Sequence, residues 1–143
     1  MARGSRAQLI GLSVGRTNSL WARMKLGRAG DMKVIRLVTS EIMDWDTFHR
    51  AFIDALGFPA FYGCNMNAWI DCMTYLDDPD AGMTKVTVDR GAVLTVQLED
   101  VDEFAVRCPE LYVALVECAA FVNWRRIEQG EAAVLALSYF GRR

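Results

Sequence analysis

An α/β domain, a small parallel sheet with helices packed on it, is the fold this sequence predicts, on three observations. Near-continuous apolar runs at Lys33–Val38, Ala92–Leu98 and Ala133–Phe140 have the character of strands covered on both faces. Helical stretches separate them, in the order strand, helix, helix, strand, short helix, long helix, strand. The length of 143 residues suits one domain with a sizeable core, and 52% hydrophobic against 24% charged residues excludes a disordered or collagen-like chain. The longest unbroken apolar runs, Leu111–Val116 and Ala132–Leu137, are far short of the ~20 residues that cross a bilayer.

Each element has its local reason. After the first strand, Asp44 can cap a helix in which Trp45, Phe48, Phe52 and Ala55 form an inward apolar stripe. Gly57 and Pro59 end it, glycine supplying a left-handed turn and proline blocking continuation. Beyond the loop Ala60–Gly63, Asn65 caps a second helix with a core stripe of Met66, Trp69, Met73 and Leu76. Asn67, Ile70, Asp71 and Thr74 fall on a different face of that helix, at i, i+3, i+4 and i+7. Such a face is either ordinary surface or a ligand-facing ridge.

Leu76–Gly82 reads as a loop. Its three aspartates lack the spacing and distal glutamate of a calcium loop, so solvated turn carboxylates are expected. Thr84–Val88 suggests a short strand that turns at Asp89-Arg90-Gly91 into Ala92–Leu98. Asp100 and Glu103 match the D-x-x-E start of a helix. Pro109 suits the first turn of a long helix ending near Gln129 before Gly130. That helix is apolar on most sides through Val122 and is expected to be largely covered, with Arg125 and Arg126 complementing its own dipole.

The charge is divided along the chain. Residues 1–31 hold six basic groups and one acid, leaving ten basic and 17 acidic groups in Met32–Arg143, so the segments carry +5 and −7. Such asymmetry marks residues 1–31 as an appended extension and 32–143 as the domain. The extension reads as a start-site artefact with translation beginning at Met32, as a disordered basic arm, or as a transit peptide; a secretory signal fits poorly. Gly11-Leu12-Ser13-Val14-Gly15 matches a nucleophile elbow only formally, without the strand and helix that motif needs.

Cys64, Cys72, Cys108 and Cys118 form no C-x-x-C pair, and His49 is the single histidine, too little for a zinc site. No cofactor or metal is expected. Cys64 and Cys72, eight apart along one helix, sit roughly 12 Å apart, beyond disulfide reach, and reduced thiols in a cytosol follow. Cys64 precedes a helix N-terminus, where a thiolate is favoured, and with His49 as base it would be a nucleophile. A solvated histidine on an amphipathic helix is the plainer expectation for His49.

The stretch from Phe58 to Thr74, FPAFYGCNMNAWIDCMT, resembles the barstar family, the intracellular inhibitors of barnase-type ribonucleases. The family pattern is a proline, two aromatics and glycine, then asparagine and, a few residues on, Asp-Cys-Leu-Thr. The resemblance covers Met32 to about Phe140 and implies a three-stranded parallel sheet flanked by about four helices. It further implies a partner-binding set of Phe61, Tyr62, Asn65, Asn67, Ile70, Asp71 and Thr74. In it Asp71 is the acidic anchor that stands in for an RNA phosphate, Phe61 and Tyr62 the loop aromatics, and Asn65 the helix-start asparagine. Asn67 stands where the family carries a further acid, Ile70 where a tryptophan usually flanks the anchor, and Trp124-Arg125-Arg126-Ile127-Glu128 where an acid of the last helix is found. A carboxylate entering a basic cleft makes charge-assisted bonds, and a body charge of −7 steers a cationic partner.

Three functions are weighed on this basis. The first is a cytoplasmic, non-catalytic inhibitor, expected as a monomer that forms a one-to-one complex, that occludes the active site of a basic ribonuclease. The second is an interaction module of the same fold that binds a different basic partner. A small enzyme using Cys64 is the third. Nucleic acid is not an expected partner, because the domain would repel phosphates, and neither is a membrane.

Overall fold

The computed structural model describes residues 32–140. The basic extension of residues 1–31, and every reading of it, lies outside the described residues. Among them, three strands form one parallel sheet in the order β1-β2-β3, namely β1 Met32–Val38, β2 Val93–Glu99 and β3 Leu135–Phe140. β2 runs parallel to β3 in a register from Leu94↔Leu135 to Glu99↔Phe140. Leu94, Val96 and Leu98 alternate into the core from this central strand while the residues between them are half-buried. The expected α/β class, the sheet and the element order are all present.

Four α-helices surround the sheet among the described residues: α1 Trp45–Leu56, α2 Met66–Thr74, α3 Val101–Arg107 and α4 Pro109–Glu128. Asp44 and Thr47 form a reciprocal cap at the start of α1, the Asp44 carboxylate accepting from Thr47 N at 2.9 Å. Gly57 ends it in the left-handed region at φ 71°, so close to Lys85 that an added Cβ would meet that side chain at 2.7 Å. Phe48 and Phe52 of α1, Trp69 of α2, Phe104 of α3 and Leu115 of α4 are fully buried and fill the interior. Trp69 stands edge-on to Phe52, ring centroids 5.5 Å apart, which fixes α2 against α1.

Three expectations are corrected. Thr84–Val88 is not a strand. Its backbone instead ties two helix ends together, Lys85 N donating to Leu56 O at 2.9 Å and Val88 N to Leu76 O at 2.9 Å. The first of these bonds satisfies a carbonyl that the end of α1 leaves open, and the second joins the turn that follows α2. The helix start expected at Asp100 is present, Asp100 being the cap residue of α3 and entering it with left-handed backbone at φ 55°. Aspartate tolerates that conformation better than most residues. The long helix α4 buries Leu111, Leu115, Ala119, Val122 and Arg126, yet leaves Val113, Phe121, Trp124 and Ile127 exposed. The third correction is Asp77, which is buried rather than solvated and grips Arg126.

Candidate functional site

The segment between α1 and α2 is shaped by packing on one side and capping on the other. Phe58 is buried and leans on the Tyr62 ring, centroids 4.6 Å apart, while Tyr62 N donates to Pro59 O at 2.9 Å to close a turn. His49 Nδ1 and the Tyr62 hydroxyl share a hydrogen bond of 2.6 Å, its donor set by the imidazole tautomer. The effect is that Tyr62 is drawn inward and half-buried, whereas its neighbour Phe61 is 74% exposed. Cys64 follows in the left-handed region at φ 52°, exposed, and Asn65 then caps α2 by accepting from Ala68 N at 2.8 Å.

His49 is a further correction of the sequence reading: it is 3% exposed, not a solvated surface group. It stacks on Trp45 with centroids 6.0 Å apart, four residues earlier on the same face of α1. The spacing Trp45, Phe48, His49, Phe52, Leu56 was the available signal, since i, i+3, i+4, i+7 and i+11 describe one face. Burial pushes its pKa down, opposed by the charge of Asp46. The Tyr62 hydroxyl is pushed well up, chiefly by burial. Through Nδ1 the imidazole holds the loop by way of Tyr62.

α2 divides the remaining predicted site residues into two groups. Asn67 and Asp71 are exposed one turn apart and form an outward ridge. Ile70 is half-buried against the core, and Thr74 is buried. The Thr74 hydroxyl donates to Ile70 O at 2.6 Å and accepts from Arg125 Nη2 at 2.8 Å. It supports the ridge from beneath rather than facing outward. Burial and the neighbouring Asp71 charge push the Cys72 thiol up to about 11, and this side chain packs in the core.

Two arginines in the last turn of α4, where the sequence reading had them complement the dipole of their own helix, also serve the C-terminal end of α2. Arg126, 4% exposed, donates through Nη1 to Thr74 O at 2.7 Å, so a cation meets the orphaned last carbonyl of α2. It holds the Asp77 carboxylate with both terminal nitrogens, at 3.0 and 2.6 Å, and donates through Nε to Ala132 O at 2.8 Å. Arg125 lies at the surface, its Nη2 reaching Thr74 Oγ1 and, at 3.5 Å, Asp71 Oδ1. Its guanidinium stands over the Phe121 ring, 5.9 Å from the centroid, and Phe121 in turn contacts Trp124 with centroids 5.6 Å apart. The predicted acidic anchor is thus already partnered by a cation that sequence reasoning set aside.

Among the described residues no helix is long and apolar enough to cross a membrane. No curated protein matches the chain. A family model described as Barstar (barnase inhibitor) matches residues 32–136, which include both strands and helices around the aromatic loop and the α2 ridge. With that match spanning most of its length, and with the parallel sheet and four helices in place, this chain belongs to the barstar family.

Proposed function

We propose that the chain is a protein inhibitor that binds and occludes the active site of a basic ribonuclease through α2 and the aromatic loop before it. The observation that carries this reading is the arrangement of one exposed aromatic, Phe61, on a loop tethered by the His49–Tyr62 bond, leading directly into a capped helix that turns Asn67 and Asp71 outward. A ridge fixed before encounter loses little conformational entropy on binding. Its acidic group suits a cleft built to hold phosphate. On this reading the protein works without turnover, as a cytoplasmic monomer in a one-to-one complex. Phe61, Tyr62, Asn65, Asn67, Ile70, Asp71 and Thr74 form or support its contact surface.

Titration of the full chain against a barnase-type ribonuclease tests it, with RNA cleavage read at low and high salt. Stoichiometric inhibition that weakens with salt is expected, reduced at least roughly tenfold by Asp71→Ala, because truncating one member of a desolvated charge pair costs about 2–5 kcal/mol. Cleavage unchanged by micromolar excess of the protein defeats the proposal.

A second reading has one observation in its favour. Arg125 beside Asp71 lowers the net negative charge of the ridge. That favours an interaction module directed at another partner, for which the same titration returns no inhibition.

A further inference from the structure

The Asp71–Arg125 contact joins a side chain of the α2 ridge to one from α4, and three independent contacts hold the guanidinium there. Nη2 donates to Thr74 Oγ1 at 2.8 Å, the same nitrogen lies 3.5 Å from Asp71 Oδ1, and the Phe121 ring supports its face at 5.9 Å. Thr74 is itself fixed by donating to Ile70 O at 2.6 Å. The Asp71 side chain remains 57% exposed and that of Arg125 32% exposed, so both charges still reach solvent and any docked surface. The ridge therefore presents a fixed pair of opposite charges at the place where an all-acidic surface would present a single sign.

We propose that Arg125 is a specificity-determining residue, which partly masks Asp71 so that the ridge fits a protein partner offering a carboxylate for the guanidinium beside a cation for Asp71, and disfavours a uniformly cationic one. The inference rests on the reading of α2 as the partner-binding face. Physically, a like-signed cation brought to Asp71 must approach Arg125 as well, and juxtaposed like charges suppress wrong partners. A mixed partner meets no such repulsion and gains a second charge-assisted contact.

Two peptide probes test the masking without any nuclease: hexa-arginine, and an alternating Arg-Glu hexamer. Binding to the full chain is measured at low salt for the wild type, Arg125→Gln, Asp71→Asn and the double variant. Glutamine removes the charge and, being shorter, also gives up the contacts of the guanidinium with Thr74 Oγ1 and the Phe121 ring, which is why the double variant is needed to isolate the charge on Asp71. Arg125→Gln is expected to bind hexa-arginine roughly two- to fivefold more tightly and the alternating peptide roughly two- to fivefold more weakly, as exposed pairs generally allow. Adding Asp71→Asn is expected to abolish the hexa-arginine gain. No gain for hexa-arginine, or a gain that survives Asp71→Asn and so reflects net charge alone, overturns the inference. A parallel titration with a barnase-type ribonuclease reads the inhibitor proposal separately. If neither wild type nor Arg125→Gln inhibits it, that proposal fails, while the peptides still decide the role of Arg125.

Discussion

Removing the Asp77 carboxylate tests whether the seat of α2 on α4 is built as described. Both members of the Asp77–Arg126 pair are nearly sealed from solvent, with side-chain exposures of 5% and 4%, and two short hydrogen bonds join them. Asp77→Ala leaves the guanidinium with Thr74 O and Ala132 O, two neutral carbonyls, and the exposed Glu131 only at 3.9 Å. A buried cation left without its close counter-ion costs about 3–5 kcal/mol. For a domain of this size, at about 4 °C per kcal/mol, the melting temperature should fall by roughly 12–20 °C. Asp77→Asn should fall almost as far, because an amide matches the shape but turns a donor toward Nη1 or Nη2 and supplies no charge. Asp78→Ala, at a partly exposed neighbour, is the control and should stay within about 0.5 kcal/mol of wild type. Urea and thermal unfolding followed by far-ultraviolet circular dichroism give the comparison. An Asp77→Ala variant that melts within a few degrees of Asp78→Ala refutes the reasoning.

Two further predictions concern the titrating groups. Burial lowers the His49 pKa, so the unfolded chain takes up the proton first as the solution is acidified. Stability is then full above about pH 6.5 and is lost as pH falls from there through the lower native value. Urea midpoints at pH 7.5 and 5.5 check this, and His49 being the single histidine makes the slope attributable; a midpoint that holds or rises on acidification contradicts it. At pH 8, iodoacetamide should alkylate the exposed Cys64 well before Cys72, whose pKa is pushed up to about 11 and whose side chain is in the core. Peptide mapping by mass spectrometry resolves the two, and equal labelling rates would show that the α2 core stripe is not packed as described.

What the sequence made legible follows from how local each signal is. Asp44 with Thr47, Asn65 with Ala68, Gly57 and Pro109 act within three or four residues, and the helices begin and end beside them. Trp69 was placed on the core stripe by period alone, and it is fully buried. Thr84–Val88 misled because its residue types suit a strand, while the bonds that decide its course go to Leu56 and Leu76, partners distant in sequence. The charged groups misled for the same reason. Nothing near Asp77 or Arg126 in sequence announces the other, 49 positions away, and composition alone places both on a solvated surface.

That distribution has a consequence for the ridge. Its backbone is set by local chemistry: the Asn65 cap, the left-handed Cys64 and the period of α2. Its charge is set by tertiary chemistry, since Arg125 of α4 stands at Asp71 and is held there by Thr74. Two chains with the same α2 sequence would fold the same ridge yet offer different electrostatic faces, according to the residue that α4 supplies one turn from its end. Arg126 cannot vary so freely, because it closes the carbonyl end of α2 and neutralises a buried carboxylate. The two adjacent arginines therefore separate two demands on one surface. Arg126 keeps the ridge in place, and on the proposal above its half-buried neighbour Arg125 sets which partner charge the ridge accepts.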